Sequence, residues 1–77
     1  MTLYDMNIDE CGTIKNLAGG DTFKRRLRSL GVTKGSDFVL KAATIMRNVY
    51  EIELNSGTCV ALRRGEAIKI EVELCKK

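Results

Sequence analysis

NVYEIELNSGTCVALR, residues 48–63, alternates apolar and polar side chains on either side of an Asn-Ser-Gly turn. Positions 50–54 place a tyrosine, an isoleucine and a leucine on one face of a strand, with two glutamates on the other. Positions 60–62 continue the apolar row after the turn. The stretch therefore predicts a β-hairpin made of strands 48–54 and 58–63.

Three further strands are predicted from similar patterns. Residues 68–74 alternate apolar and charged side chains almost without fault. Residues 11–18 and 36–43 alternate more loosely between glycine-containing turns, and each of them predicts a strand. Residues 64–67 predict a tight connection before the last strand, formed by one turn of 3₁₀ helix.

One helix is predicted between the first and second strands. Its apolar edge recurs at positions i, i+4 and i+7 and consists of Phe23, Leu27 and Leu30. Asp21 or Thr22 is the expected N-terminal cap. Gly31 is expected to stop the helix in a left-handed conformation, with Val32 packing back onto it.

Together these segments predict a mostly β protein, a small antiparallel barrel of five strands that forms one domain over residues 1–77. Closure into a barrel would remove exposed strand edges. A chain of 77 residues builds only one compact core. Pockets that enclose a small molecule occupy about 300–1,000 Å³, and a chain this small has little material to line one.

Composition argues against several classes of protein. The formal charge of +3 comes from 13 basic and 10 acidic side chains, a mild excess that does not by itself indicate nucleic-acid binding. No basic start with an apolar run marks a secretory signal, and no run of 18 apolar residues predicts a membrane span. We therefore expect a cytoplasmic protein.

The side chains that usually carry catalysis or metal binding are scarce. The chain has no histidine, and its cysteines, Cys11, Cys59 and Cys75, are odd in number and lack CxxC spacing. These three residues could approach one another if the first and last strands pair, but they are expected to be reduced thiols that pack as small apolar side chains. We predict no catalytic residues, no metal site and no cofactor, and hence no enzyme.

Two sequence motifs resemble the FeoA family of ferrous iron transport proteins. The first is Arg26-Leu27-Arg28-Ser29-Leu30-Gly31-Val32, preceded by a Gly-Gly pair and followed by Gly35. The second is Val60-Ala61-Leu62-Arg63-Arg64-Gly65-Glu66-Ala67, followed by an alternating strand. In the connection of residues 44–48, however, the chain lacks the proline expected of the family.

The resemblance implies an SH3-like barrel that acts as a stand-alone cytosolic protein. Such proteins are thought to support a membrane ferrous iron transporter that carries a cytosolic G domain, and the family is not known for enzymes. A related barrel forms the C-terminal domain of iron- and manganese-dependent repressors. The partner implied for this chain is therefore the cytosolic domain of a ferrous iron transporter, and contact with the membrane would occur only through that partner.

The candidate partner-binding residues form a basic cluster on the predicted helix: Lys24, Arg25, Arg26 and Arg28. One interpretation is a solvated helix face, whose charge near the C-terminus is favoured by the helix dipole. The other is a docking patch for an acidic surface, where the planar guanidinium of arginine binds carboxylates in pairs.

Three functional hypotheses follow. The first is an accessory protein that binds and modulates the iron transporter. The second is a small nucleic-acid-binding barrel, which is not expected because acidic residues occupy the outward strand faces and outward aromatic rings are lacking. The third is a stand-alone module that senses a transition metal ion, as in the repressors. The sequence leaves self-association open.

Overall fold

The structure is a computed structural model, which describes residues 1–44 and 48–75 of the chain. Its strands are β1 (Cys11–Leu17), β2 (Asp37–Ala43), β3 (Val49–Leu54), β4 (Cys59–Arg63) and β5 (Ile70–Leu74). Helix α1 (Asp21–Ser29) follows β1, and the single turn α2 (Arg64–Ala67) precedes β5. A 3₁₀ helix, Leu3–Asp5, lies ahead of β1.

All five strands belong to one antiparallel sheet with the order β4-β3-β2-β1-β5. The predicted hairpin is confirmed, since Tyr50 lies opposite Leu62 and Ile52 lies opposite Val60. The register shifts once between β1 and β5 and once between β2 and β3. Because such bulges bend a strand and increase its twist, the sheet can curl around a single core.

The core consists of fifteen buried apolar residues drawn from every strand, from α1 and α2, and from the N-terminal segment. Its members are Leu3, Met6, Ile14, Leu27, Val32, Phe38, Leu40, Tyr50, Ile52, Leu54, Val60, Leu62, Ala67, Ile70 and Val72. No polar or charged residue in the described ranges is buried with them.

The predicted closure of the barrel is wrong. Within residues 1–44 and 48–75, β4 pairs with β3 alone. On the outer edge of β5, Glu71 forms an isolated bridge with Thr2, and no further strand pairs there. The N–H of Val72 also donates to the carbonyl oxygen of Met1, at 2.8 Å. The N-terminal residues thus take up hydrogen-bonding positions on β5 that closure of the barrel would have used.

The connection before the last strand differs from the prediction in helix type and in where β5 begins. The single turn before the last strand is present, but the N–H of Ile68 donates to the carbonyl oxygen of Arg64, which is an α-helical bond. Ile68 is the C-cap of that turn and is 53% exposed, so β5 begins at Ile70 and not at Ile68. The connection between β2 and β3, residues 44–48, falls partly at 45–47, outside the described residues.

The central hairpin should dominate stability. Ile52 is fully buried between Leu40 on β2 and Val60 on β4, so Ile52→Ala leaves a cavity and should cost about 2–5 kcal/mol of unfolding free energy. Urea unfolding measures the change. The matched control is Glu51→Ala on the exposed face of the same strand, expected to stay within about 0.5 kcal/mol of the unsubstituted chain. Equal losses for both variants would contradict the assigned faces.

Candidate functional site

Helix α1 ends in a motif that fixes its position against the sheet. The N–H of Gly31 donates to the carbonyl of Arg28, and the N–H of Val32 donates to that of Leu27, at 3.0 and 2.8 Å. These are the two hydrogen bonds of a Schellman cap, and the usual apolar pair accompanies them because Leu27 and Val32 are both fully buried. The predicted stop at Gly31 is confirmed.

Only glycine suits position 31. Its φ is +92°, a left-handed conformation that other residues rarely adopt. A Cβ at this position would also lie 3.3 Å from the Cδ1 atom of Leu54. The helix end is therefore fixed both by backbone conformation and by close packing on the end of β3.

The start of the helix and its apolar edge differ from the prediction. The N-cap residue is Gly20, and no side-chain hydrogen bond caps the helix, so neither Asp21 nor Thr22 has the predicted role. Of the predicted apolar edge, only Leu27 is fully buried. Phe23 is half-buried, with the Lys69 ammonium 5.3 Å from its ring centre. Leu30, the helix C-cap, is 38% exposed because it lies beyond the last turn that contacts the core.

The structure distributes the four predicted basic residues over three sides of α1. Lys24 and Arg28, one helical turn apart, line a cleft beside β1. Arg26 forms an ion pair with Glu66 of α2. Arg25 is exposed and lines none of the clefts found in the described residues. The four side chains therefore do not form a single patch.

Arg26 has a local structural partner. The Glu66 side chain is only 19% exposed, and it also accepts a hydrogen bond of 3.0 Å from the N–H of Arg63 at the start of α2. The pair thus ties the helix to the connection between β4 and β5. Because the Arg26 side chain is half exposed, its ion pair contributes no more than about 1 kcal/mol.

The cleft beside α1 has a volume of about 170 Å³. Lys24 and Arg28 of the helix and Lys34 of the following loop supply three cations. Its other lining residues are Asn16, Leu17, Val32 and Thr33, so no acidic residue lines it. Within residues 1–44 and 48–75, none of the three cations forms an ion pair.

Sequence reasoning missed the contributions of Lys34, Asn16 and Glu66 to this region. Lys34 follows the Gly31 stop by three residues, so its return towards the helix could have been inferred from a Schellman cap. Asn16 lies on β1, and no local pattern connects it with α1. Glu66 is 40 residues from Arg26, and no local pattern predicts that contact.

The expectation of three reduced cysteines is wrong for two of them. Cys11 and Cys75 form a disulfide whose Cα atoms lie 5.5 Å apart, whereas Cys59 is a free, exposed thiol on β4. The N–H of Cys75 also donates to the carbonyl of Cys11, at 3.0 Å. That hydrogen bond does not depend on the sulfur atoms. Pairing of the first and last strands brings the two cysteines together.

Another cleft lies beside this disulfide. It has a volume of about 410 Å³ and is lined by residues of β1, β2 and the β3–β4 hairpin, with Asp37 and Glu53 as its acidic members. Thr13 donates to the Asp37 carboxylate at 2.7 Å, and Lys41 lies 3.9 Å from the Glu53 carboxylate. In the described part of the chain, no group of three or more metal-ligating side chains could hold a metal ion.

None of the helices in residues 1–44 and 48–75 has both the length and the apolar character needed to cross a membrane.

Comparison with known proteins was made by family and by structure. The model of the FeoA domain matches residues 1–74. This chain belongs to the FeoA domain family. The resemblance inferred from the two sequence motifs is therefore confirmed. A search of curated proteins found no match.

Solved structures share the fold of this FeoA-domain chain. The FeoA protein of Chlorobium tepidum is 24% identical with a TM-score of 0.91, and the match covers 99% of this chain and 71% of that one. FeoA of Stenotrophomonas maltophilia, complexed with zinc, is 27% identical with a TM-score of 0.75, covering 95% and 89%. A manganese-dependent transcriptional repressor is 21% identical with a TM-score of 0.88, covering 97% and 36%.

The disulfide should stabilise the chain measurably. It links residues 64 positions apart, and a loop of that length gives about 2–4 kcal/mol. Cys75→Ser should lower the unfolding free energy by that amount under oxidising conditions. It should also abolish the difference between urea curves recorded with and without a thiol reductant.

Cys59→Ser is the matched control for this experiment, because Cys59 is exposed and unpaired among the described residues. It should leave both stability and the response to reductant unchanged. A reductant effect in Cys75→Ser as large as in the unsubstituted chain would contradict the assigned pairing.

Proposed function

We propose that this chain is a cytoplasmic accessory protein of ferrous iron uptake. In this role it binds the cytosolic part of a membrane ferrous iron transporter and modulates the G domain there. The observation that carries the proposal is the FeoA-domain match over residues 1–74. Among the relatives, the Stenotrophomonas maltophilia protein is described as an SH3 domain protein with a suggested role as a ferrous iron transport activating factor, and another FeoA structure as an iron uptake regulatory protein.

The cations of α1, taken together, are the surface proposed for binding. Lys24, Arg25 and Arg28 form no ion pair with the described residues, so they keep their charges for an outside partner. Opposite charges at a protein interface speed association and select the partner. The arginines can also hold carboxylates with two parallel hydrogen bonds. An acidic region on the transporter's cytosolic domain is therefore the proposed counterpart.

Binding fits the rest of the molecule better than catalysis does. The fifteen core positions are apolar, and the acidic groups that line the cleft beside the disulfide contact Thr13 and Lys41. The chain has no histidine to act as a general base near neutral pH. These features support a role exerted through surface contact.

Charge reversal on α1 tests the proposal. The variant is Lys24→Glu combined with Arg25→Glu and Arg28→Glu, and Arg26 is kept because its reversal would disturb Glu66 and α2. We expect affinity for the purified cytosolic domain of the transporter to fall by at least about tenfold, the effect of 1.4 kcal/mol. Isothermal titration calorimetry at two salt concentrations measures the affinity and how far salt weakens it.

The matched control carries the same change of net charge on other surfaces of the chain. It combines Lys15→Glu, Lys41→Glu and Arg64→Glu. This variant should retain affinity within about threefold, because specific docking depends on where charges lie and not on their sum. Equal losses in both triple variants would contradict docking through α1, and no binding by the unsubstituted chain would contradict the proposed function.

A further inference from the structure

The cleft between α1 and β1 combines three cations with an apolar floor. Lys24 is half-buried in the lining, as is usual for a lysine that buries its methylene stem and keeps its charged head in water. Arg28 and Lys34 are exposed beside it. Leu17 and the fully buried Val32 form the apolar part of the lining.

We propose that this cleft is a carboxylate-binding subsite, which takes one glutamate or aspartate side chain from an acidic protein segment. The inference rests on the proposed function and specifies it, because it makes the cleft the anchoring point of the docking surface. Arg25 and Arg26, which lie on other sides of the helix, would then contribute little to anchoring.

The charge distribution of the cleft favours an anion. Among the described residues its three cations have no ion-pair partner, and no acidic side chain lines the space of about 170 Å³ between them. Like charges held this close repel one another, and a carboxylate among them would be attracted by all three. Elsewhere in the described chain, Glu73 neutralises Lys15 and Glu66 neutralises Arg26. The cations of the cleft have no such acidic neighbour in its lining.

Polar groups in the lining add neutral hydrogen-bond donors. The Asn16 side-chain oxygen accepts from the N–H of Leu17 at 2.9 Å, which leaves the amide nitrogen to donate. The hydroxyls of Thr33 and Ser36 lie 2.8 Å apart and hydrogen-bond to each other. That contact fixes the Thr33 side chain at the rim of the cleft.

The backbone around the cleft favours a carboxylate over a phosphate. Phosphate sites commonly use free N–H groups at a helix N-terminus or in a backbone nest. Here the cleft extends from Lys24 along α1 and past its C-terminal end, where the helix dipole is negative, and the N–H groups of Gly31 and Val32 are used in the cap. Side-chain cations must therefore supply the attraction, without the backbone donors that phosphate sites commonly add.

Size and polarity indicate an amino-acid side chain as the occupant. A volume of 170 Å³ is about that of five or six water molecules in the liquid, each taking ≈ 30 Å³. That space holds one short side chain but lies below the range of about 300–1,000 Å³ typical of pockets for whole small molecules. The methylene groups of a glutamate would contact the half-buried Leu17 while its carboxylate reaches the cations.

A nuclear magnetic resonance titration of the full chain tests this subsite. The probes are a blocked tetraglutamate peptide, a blocked tetraglutamine peptide and inorganic phosphate, each added to ¹⁵N-labelled protein. We expect saturable shifts at Asn16, Arg28 and Lys34 with tetraglutamate alone. Arg28→Gln should weaken that binding by about three- to tenfold, the loss of one charge-assisted contact.

Arg64→Gln is the matched control, since it removes the same charge from an exposed position on α2, outside both the cleft and the proposed docking surface. Its affinity for tetraglutamate should stay within about twofold of the unsubstituted chain. Equal weakening by the two variants would mean diffuse attraction and would overturn the subsite. Binding of phosphate in preference to tetraglutamate would overturn the carboxylate assignment.

The two proposals fail separately. The peptide titration uses this chain alone, so the absence of peptide binding would overturn the subsite whatever the transporter domain does. Calorimetry with the transporter domain gives the independent result for the proposed function. If the domain binds and Arg28→Gln and Arg64→Gln weaken that binding equally, the docking function stands and the anchoring role of the cleft is overturned.

Discussion

Leu27 and Val32 hold α1 to the sheet, and the position of every charged group on that helix depends on this contact. Leu27 is the single side chain of the helix that is fully buried, and the Schellman cap places Val32 beside it in the core. A helix of nine residues would be marginal in isolation, so its stability comes from this packing. Since this apolar contact lies near the C-terminal end of α1, most of the helix surface stays exposed to water, including its basic side chains.

In the described residues, the sheet bends around its small core and does not close into a barrel. Bulges near Ile14 and Leu40 let both halves of the sheet face the same core. The N-terminal residues cover part of the β5 edge, and the Cys11–Cys75 disulfide joins the end of β5 to β1. The outer surface is then left to charged residues, and two ion pairs, Lys15–Glu73 and Lys41–Glu53, link neighbouring strands. Within residues 1–44 and 48–75, Lys24, Arg25 and Arg28 of α1 have no such partners.

Sequence patterns predicted those parts of the fold in which neighbouring residues carry the signal. The hairpin of β3 and β4 alternates strictly, and the stop at Gly31 has a local chemical cause, so both were correctly predicted. Leu3 was missed because one turn of 3₁₀ helix is too short to show a period. Ile68 was wrongly assigned to the last strand, because the helical turn before it continues one residue into the alternating pattern.

The candidate site was less predictable because it depends on contacts between distant residues. The basic cluster was visible in the sequence, but its division between a cleft, an ion pair and solvent depends on β1 and on Glu66. The disulfide likewise follows from strand pairing, and cysteine spacing alone does not reveal a connectivity. Composition suggested a surface-acting protein, and the fold locates the charges that such an action would use.

Hydrogen–deuterium exchange of the chain, alone and in excess cytosolic transporter domain, tests most directly whether α1 is the working surface. We expect slower exchange in residues 21–34 on complex formation, with exchange in β2 and β3 unchanged. Protection confined to β2 and β3, with α1 exchanging as in the free chain, would contradict docking through α1.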